Sequence, residues 1–394
     1  MRFYGYDSPW KVSKLGELFE IYSGNTPSRS DKNNYDNGTI PWIKTTDLNN
    51  SLIYVNEENI TEYGAKKLKI LPKNTIVIAM YGGFNQIGRT GLLTYPATIN
   101  QALASLLPVK EINSYFLLNY LNLRKDSWRN VAASSRKDPN ITKNDVEKFK
   151  ISFPSLEEQY SIGSLFRPLD DLLASYKENL ANYQSLKATM LSKMFPKAGQ
   201  TIPEIRLDGF EGEWEIKRAD EIFKSVSEKN KASLPVLSAS QIDGMVLRDE
   251  LGIDIKYDEA ALNNYKVVKP GQFVIHLRSF QGGFALSKLE GITSPAYTII
   301  DFIDKKNNIP DFWNSILTSR DFIKRLETVT YGIRDGKSIS FKDFSSLKFV
   351  YPELEEQQAI GVYFSNLDQL IISYQDKITH LETLKKKLLQ DMFI

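Results

Sequence analysis

Two sets of side chains in this sequence carry the forked, amide or phenolic groups that make directional hydrogen bonds from loops. The first set is Lys44, Tyr81, Asn85, Gln86, Arg89, Asn100, Gln101, Arg136 and Lys137, and the second is Arg278, Ser279, Gln281, Tyr331, Arg334 and Lys337. Such groups can pair with base edges in a groove of DNA, or with phosphates. An ordinary polar surface contains the same residue types, so spacing has to add something. Arg89 and Arg278 come after apolar runs that lead into paired glycines, Thr75–Met80 before Gly82-Gly83 and Gln272–Leu277 before Gly282-Gly283. Arg136 and Arg334 stand 198 positions apart, as do Ile141 and Ile339, which, if the chain binds DNA, favours a shared phosphate-contacting role for the two arginines.

Residues that make or break bonds are missing. There are no cysteines, so disulfides, thiolate metal sites and cysteine nucleophiles are excluded together. The two histidines, His276 and His380, have no metal-ligand spacing; the first reads as a structural group in or beside a buried strand, the second as a solvated residue on a helix. The sequence contains no phosphate-binding Gly-x-x-x-x-Gly-Lys loop, no Gly-x-Gly-x-x-Gly turn between strand and helix, and no Gly-x-Ser-x-Gly elbow. Asp254-Ile255-Lys256 has the ending of a nuclease site, but Pro310-Asp311 follows it in the wrong order. No catalytic residue, metal or bound cofactor is expected for this chain.

The elements that would position the polar sets are written twice. Phe153-Pro154-Ser155-Leu156-Glu157-Glu158-Gln159 returns as Tyr351-Pro352-Glu353-Leu354-Glu355-Glu356-Gln357. The repetition continues without a gap through Leu169-Asp170 and Leu367-Asp368, Leu186-Lys187 and Leu384-Lys385, to Met194-Phe195 and Met392-Phe393. Apolar residues recur at Leu165, Leu169, Leu172, Tyr176, Leu180, Tyr183, Met190 and Met194, and again at Tyr363, Leu367, Leu370, Tyr374, Ile378, Leu381, Leu388 and Met392. Steps of three and four, with one of seven in each copy, predict two long amphipathic helices that pair antiparallel. Ser155 and Glu158 read as a capping box. Glu157, Glu158, Gln159, Glu355, Glu356 and Gln357 are candidates either for docking a partner or for supporting the helix N-termini.

Between these helices lie two bodies with short strand-like runs. Trp10 before Leu18-Phe19 has a counterpart in Trp214 before Ile222-Phe223, and helices are predicted over Ser114–Asn130 and Asp311–Val329. The expected fold is α+β with an internal pseudo-two-fold repeat: mixed α/β bodies over 1–150 and 201–350, helical segments over 151–200 and 351–394 forming an antiparallel coiled coil. The 42% hydrophobic and 12% aromatic content suits a folded protein. Net charge is +2, yet residues 1–150 carry 20 basic against 14 acidic groups while residues 201–350 carry 21 against 22. If the protein binds DNA, its cations are clustered or a partner supplies part of the phosphate contact. No run is long and apolar enough to span a membrane, and no signal-peptide pattern is seen, so a cytoplasmic location is expected.

The repeated Pro-x-Leu-Glu-Glu-Gln opening and the long helix after it resemble the specificity subunit of type I restriction–modification systems. In the first body Trp10-Lys11-Val12, Ser23-Gly24-Asn25-Thr26-Pro27-Ser28, Ile40-Pro41-Trp42-Ile43-Lys44 and Thr98-Ile99-Asn100-Gln101-Ala102 look like segments of its target-recognition domain; the second body has no clear Gly-x-Thr-Pro-Ser equivalent near Lys224–Lys231. The resemblance implies a non-catalytic chain that binds double-stranded DNA, each body reading one half of a split asymmetric site. It further implies two methyltransferase (modification) subunits carrying S-adenosylmethionine, and restriction/translocase subunits using ATP and magnesium. The helices would set the spacer and dock the methyltransferase subunits. A rod from Asp170 to Phe195 would run roughly 39 Å at ~1.5 Å per residue, close to the ~34 Å of one DNA turn. Alternatives are the recognition subunit of a system whose modification and cleavage activities are fused in one partner, a protein-binding scaffold without DNA, and an enzyme, which the missing catalytic groups disfavour.

Overall fold

The computed structural model describes residues 2–132, 139–240, 243–251, 259–276, 283–329 and 340–393. They form two compact units, Met1–Tyr176 with Lys377–Ile394 (unit 1) and Lys177–Asp376 (unit 2). Each unit therefore comprises one body and half of each long helix.

Unit 1 contains β1 (Lys11–Lys14), β2 (Ile21–Ser23), β3 (Ile40–Ile43), β4 (Ser51–Ile53), β5 (Asn59–Ile60), β6 (Ile76–Ala79), β7 (Thr90–Leu93), β8 (Thr98–Ile99), β9 (Leu103–Leu106) and β10 (Lys150–Phe153). Its main sheet runs β2-β9-β6-β7-β4, a second runs β5-β3-β8, and β1 pairs with β10. The central strands β6, β7 and β9 are buried at every position, as expected for apolar runs covered on both faces. Unit 2 contains β11 (Glu215–Arg218), β12 (Phe223–Val226), β13 (Leu237–Ser240), β14 (Gly244–Leu247), β15 (Lys266–Val268), β16 (Phe273–Ile275), β17 (Phe284–Leu286), β18 (Gly291–Thr293), β19 (Thr298–Phe302) and β20 (Lys348–Tyr351). Its main sheet, β12-β19-β16-β17, has the order of β2-β9-β6-β7, and β11 pairs with β20 as β1 does with β10. The parallel bridge Met245–Ser287 sets β14 beside β17, as β4 lies parallel beside β7. The bodies thus share one scaffold.

The predicted body helices each break in two. Ser114–Leu123 is followed by the short Trp128–Val131 helix, because the chain turns to bury Trp128 in a stack on Phe149 at 4.0 Å. Pro310–Leu317 is followed by Arg320–Val329, with the Ser319 hydroxyl accepting from Phe322 N at the second start.

The long helices run Leu156–Lys193 and Leu354–Met392, 38 and 39 residues. Within unit 1, Phe166 lies near Phe393, Lys385 pairs with Asp170, and Lys377 sits over the Tyr176 ring. Within unit 2, Phe195 lies near Phe364, Lys187 pairs with Asp368, and Tyr183 meets Tyr374. As one number rises the other falls, so the segments pair antiparallel in both units. The two ion pairs use the Asp and Lys positions that recur 198 residues apart, and partly buried cross-helix pairs of this kind fix register. Asp170 also accepts from the Tyr115 hydroxyl, whose pKa burial and the carboxylate push upward. Lys385→Glu is expected to cost about 1.5–3 kcal/mol in unit 1, with part regained on adding Asp170→Lys; urea unfolding of the two variants measures both effects.

The repeated helix ends close each core. Phe393 lies among Trp10, Phe116, Tyr120 and Phe166, and Phe195 among Trp214, Phe312 and Phe364.

Candidate nucleic-acid interface

In unit 1 the backbone brings the described members of the first polar set to one end of the sheets. The parallel pair β3–β8 ends together, and Asn100 N donates to Ile43 O at 3.0 Å, so Lys44 and Asn100 emerge side by side. Met80 N donates to Ala102 O at 2.8 Å, which places the start of the β6–β7 loop against the Asn100–Ala102 turn. Ile141 N donates to Met80 O at 2.9 Å, tying the chain after the Arg136–Lys137 region to the same end. Arg136 and Lys137 themselves lie outside the described residues.

The gathered residues are not equally free. Lys44 is held by Glu57 at 3.1 Å and Glu58 at 3.3 Å; Glu58 also pairs with Arg29, which stacks on Tyr35 and Trp42. Those cations hold the Glu57 and Glu58 carboxyls below their ordinary range. The Asn100 side-chain oxygen accepts from Ala102 N and shapes the turn, and the Gln101 carbonyl accepts from Thr26. Gly24 accounts for that strap: a Cβ there would stand 2.0 Å from Ile99 O, so only glycine lets Ser23–Ser28 lie on the sheet. Lys44, Asn100 and Gln101 therefore form the floor of the site.

The open part is the loop Tyr81–Arg89. Gly82 and Gly83 have φ of 108° and 73°, and Gln86 N and Ile87 N both donate to Gly83 O at 3.0 Å. Phe84 and Asn85 form the exposed tip, Ile87 is buried, and Gly88 packs on Trp128. Gln86 accepts from Arg89 at 2.6 Å, so the guanidinium and the amide are presented as one unit. Arg89 stands at the loop's far end, immediately before β7, rather than directly following β6, and its carbonyl accepts from Ala79 N.

Three neighbours of this loop are not marked by any clear pattern in the sequence. Lys125 is pressed by Arg89 and Arg129, and burial together with those like charges lowers its pKa; Asp126 opposes them. The Arg129 guanidinium lies 5.9 Å from the Phe84 ring and 3.6 Å from Asp126. Three cations face one exposed carboxylate, an arrangement suited to a polyanion. The faint signal was Arg124-Lys125 followed by Arg129 in a chain half already rich in basic groups.

In unit 2, His276 directly follows β16, and its N donates to Gly283 O at 3.2 Å, as Ala79 N does to Arg89 O in unit 1. Its imidazole lies edge-on to Tyr297 at 6.1 Å, and burial lowers its pKa. Arg278, Ser279 and Gln281, and likewise Tyr331, Arg334 and Lys337, lie outside the described residues.

The docking candidates divide. Glu158 and Glu356 are 1% and 0% exposed, and Gln159 and Gln357 are equally buried. Arg2 makes a two-pronged bond to Glu158, 2.7 Å on each side, and Arg206 grips Glu356 at 2.8 and 2.7 Å. Gln159 accepts from Asn113 N and donates to Glu111 O and Pro154 O; Gln357 accepts from Ile309 N and donates to Asn307 O and Pro352 O. These four side chains clasp each helix start to its own body and are unavailable to a partner. Only Glu157 and Glu355 are exposed. The capping box is likewise half formed: Glu158 N donates to Ser155 Oγ at 3.3 Å, but the carboxylate turns to Arg2, since a buried charge needs a charged partner. The arginines stand eight residues before Trp10 and Trp214, a spacing that could have revealed them.

Among the described residues no helix is long and apolar enough to cross a membrane, and no group of three or more His, Asp or Glu could hold a metal ion.

Two copies of one recognition scaffold, each carrying its own loops, fit a family built around DNA specificity. Residues 7–183 and 211–383 each match the type I restriction modification DNA specificity domain, and the chain belongs to that family. It is 29% identical over 175 residues to the EcoR124I/EcoR124II specificity subunit of Escherichia coli, covering 43% of each chain. It is 29% identical to the MjaIX specificity subunit of Methanocaldococcus jannaschii over 56% of this chain and 53% of that one. The match thus spans about half of those two relatives. It extends over 96% of this chain and 91% of the MjaVIII specificity subunit of the same organism, at 23% identity. The crystal structure of the S subunit from M. genitalium shares the fold, with a TM-score of 0.64 at 16% identity, covering 100% of this chain and 97% of that one.

Proposed function

We propose that this chain is the non-catalytic recognition subunit of a type I restriction–modification complex, with unit 1 and unit 2 each reading one part of a two-part, asymmetric duplex site. The observation that carries this reading is one strand order used twice, with unlike sequences between the matching strands. In unit 1 one sheet end presents the Gln86–Arg89 pair beside Lys125 and Arg129. Gln86 and Arg89 supply amide and guanidinium groups for base edges, Asn85 a further amide at the tip, and Lys125 and Arg129 supply phosphate contacts. The long helices set the unread spacer and dock two modification subunits, with Glu157 and Glu355 on the surface left for them. S-adenosylmethionine belongs to those modification subunits, and ATP and magnesium to the restriction subunits.

A gel shift with the chain alone and with its modification subunits tests this. The expected result is a salt-sensitive, sequence-dependent shift that is strongest in the complex. Absence of DNA binding with every modification partner would leave a protein scaffold in its place.

A further inference from the structure

Phe84 has no role in the reading above, yet its placement is unusual. It is 46% exposed, with Tyr81 42% exposed close by in the same loop. Isolated exposed apolar groups are ordinary on protein surfaces. This one occupies the apex of a turn that is closed by two hydrogen bonds to Gly83 O, follows two glycines at positive φ, and is anchored from below by buried Ile87 and Gly88. The backbone holds the ring outward. Arg129 lies over it at 5.9 Å, and behind that guanidinium Lys125 is within electrostatic reach of both Arg129 and Arg89, with Asp126 the one carboxylate among them. A rigid aromatic ring set among cations matches a base stack flanked by phosphates; a protein partner would seat an apolar ring in an apolar pocket with fewer charges around it.

We propose that Phe84 is a wedge that enters between base steps of the half-site read by unit 1, with Arg129 on an adjoining phosphate. This rests on the function proposed above. Apolar wedges of this kind unstack one step and bend the duplex, which widens the surface that can be contacted. The cation beside the ring serves both partners: it is drawn to the ring face in the free protein and to phosphate in the complex. The ring carries shape information, so its contribution falls on one half of the site, whereas the arginine's is indifferent to sequence.

The test uses the complex of this chain with its modification subunits and duplexes bearing its mapped site. 2-Aminopurine is placed at successive steps of each half, away from the base that the modification subunits modify. The wild-type complex is expected to raise fluorescence at one step of the unit 1 half. Phe84→Ala should abolish that rise and weaken binding roughly tenfold, the scale of one lost base–aromatic stack, with the salt dependence unchanged. Arg129→Ala should keep the fluorescence rise and reduce the salt slope by about 0.9, as expected for one phosphate contact. The wedge is overturned if wild type and Phe84→Ala give the same fluorescence at every step. Absence of DNA binding by the wild-type complex would instead remove the function on which the wedge rests.

Discussion

Replacing Glu356 with alanine is expected to destabilise unit 2 by about 3–5 kcal/mol, because Arg206 would lose both charged bonds to a buried carboxylate and keep only the weaker pull of Glu353 and Glu211. Glu356 is fully buried and receives both prongs of the Arg206 guanidinium, which also donates to Gly212 O at 2.6 Å. The clasp thereby ties the segment before Trp214 to the start of the second long helix. Glu355, one position away and exposed, is the internal control, and Glu355→Ala should lie within about 0.5 kcal/mol of wild type. The double replacement Arg206→Met with Glu356→Leu should recover much of the loss, since no buried charge remains. Urea unfolding, with hydrogen exchange to localise the loss, measures all three. Equal stability of Glu356→Ala and Glu355→Ala would mean that the clasp is not structural.

Gly88→Ala should do comparable damage in unit 1, with a consequence for recognition. Gly88 has φ +74°, and a Cβ would stand 2.2 Å from Trp128, which is itself fully buried and stacked on Phe149. The ring has nowhere to go, so the loop must lift. Overpacking and the left-handed backbone together should cost about 2–4 kcal/mol. Lifting the loop displaces Gln86 and Arg89, and the half-site read by unit 1 should lose selectivity while the other half keeps it. Thermal unfolding gives the stability, and binding to duplexes altered in one half at a time gives the selectivity. A variant that unfolds less readily, or that loses both halves together, would contradict the anchoring role of Gly88.

Much of this architecture was legible in the sequence, and the reasons are physical. A helix with a 3.6-residue period announces itself, and a gapless repeat of that period states that two such helices have equivalent surroundings. The recurrence of Asp170 with Asp368 and of Lys187 with Lys385 encoded the register that the ion pairs now display. The doubled Trp10 and Trp214 marked the place where Phe393 and Phe195 close the cores.

What stayed hidden depends on contacts between distant residues. Glu158 looked like a docking or capping group because its partner, Arg2, lies 156 positions away. Lys44 read as a free cation, yet Glu57 and Glu58 pair with it. Lys125 and Arg129 carried no pattern of their own; they matter because the chain breaks its helix to bury Trp128 and so carries them to the Tyr81–Arg89 loop. Helix breaks of that kind come from tertiary packing, which local periodicity does not record.

The central claim is that two units on a common frame read two separate parts of one site. Mapping modified bases in the DNA of a host that expresses the complex tests it most directly, first with the wild-type chain and then with Tyr81–Arg89 exchanged for a foreign loop. The account predicts modified bases in a two-part motif with an unread middle, and a change confined to one part after the exchange. A single uninterrupted motif, or a change in both parts at once, would contradict it.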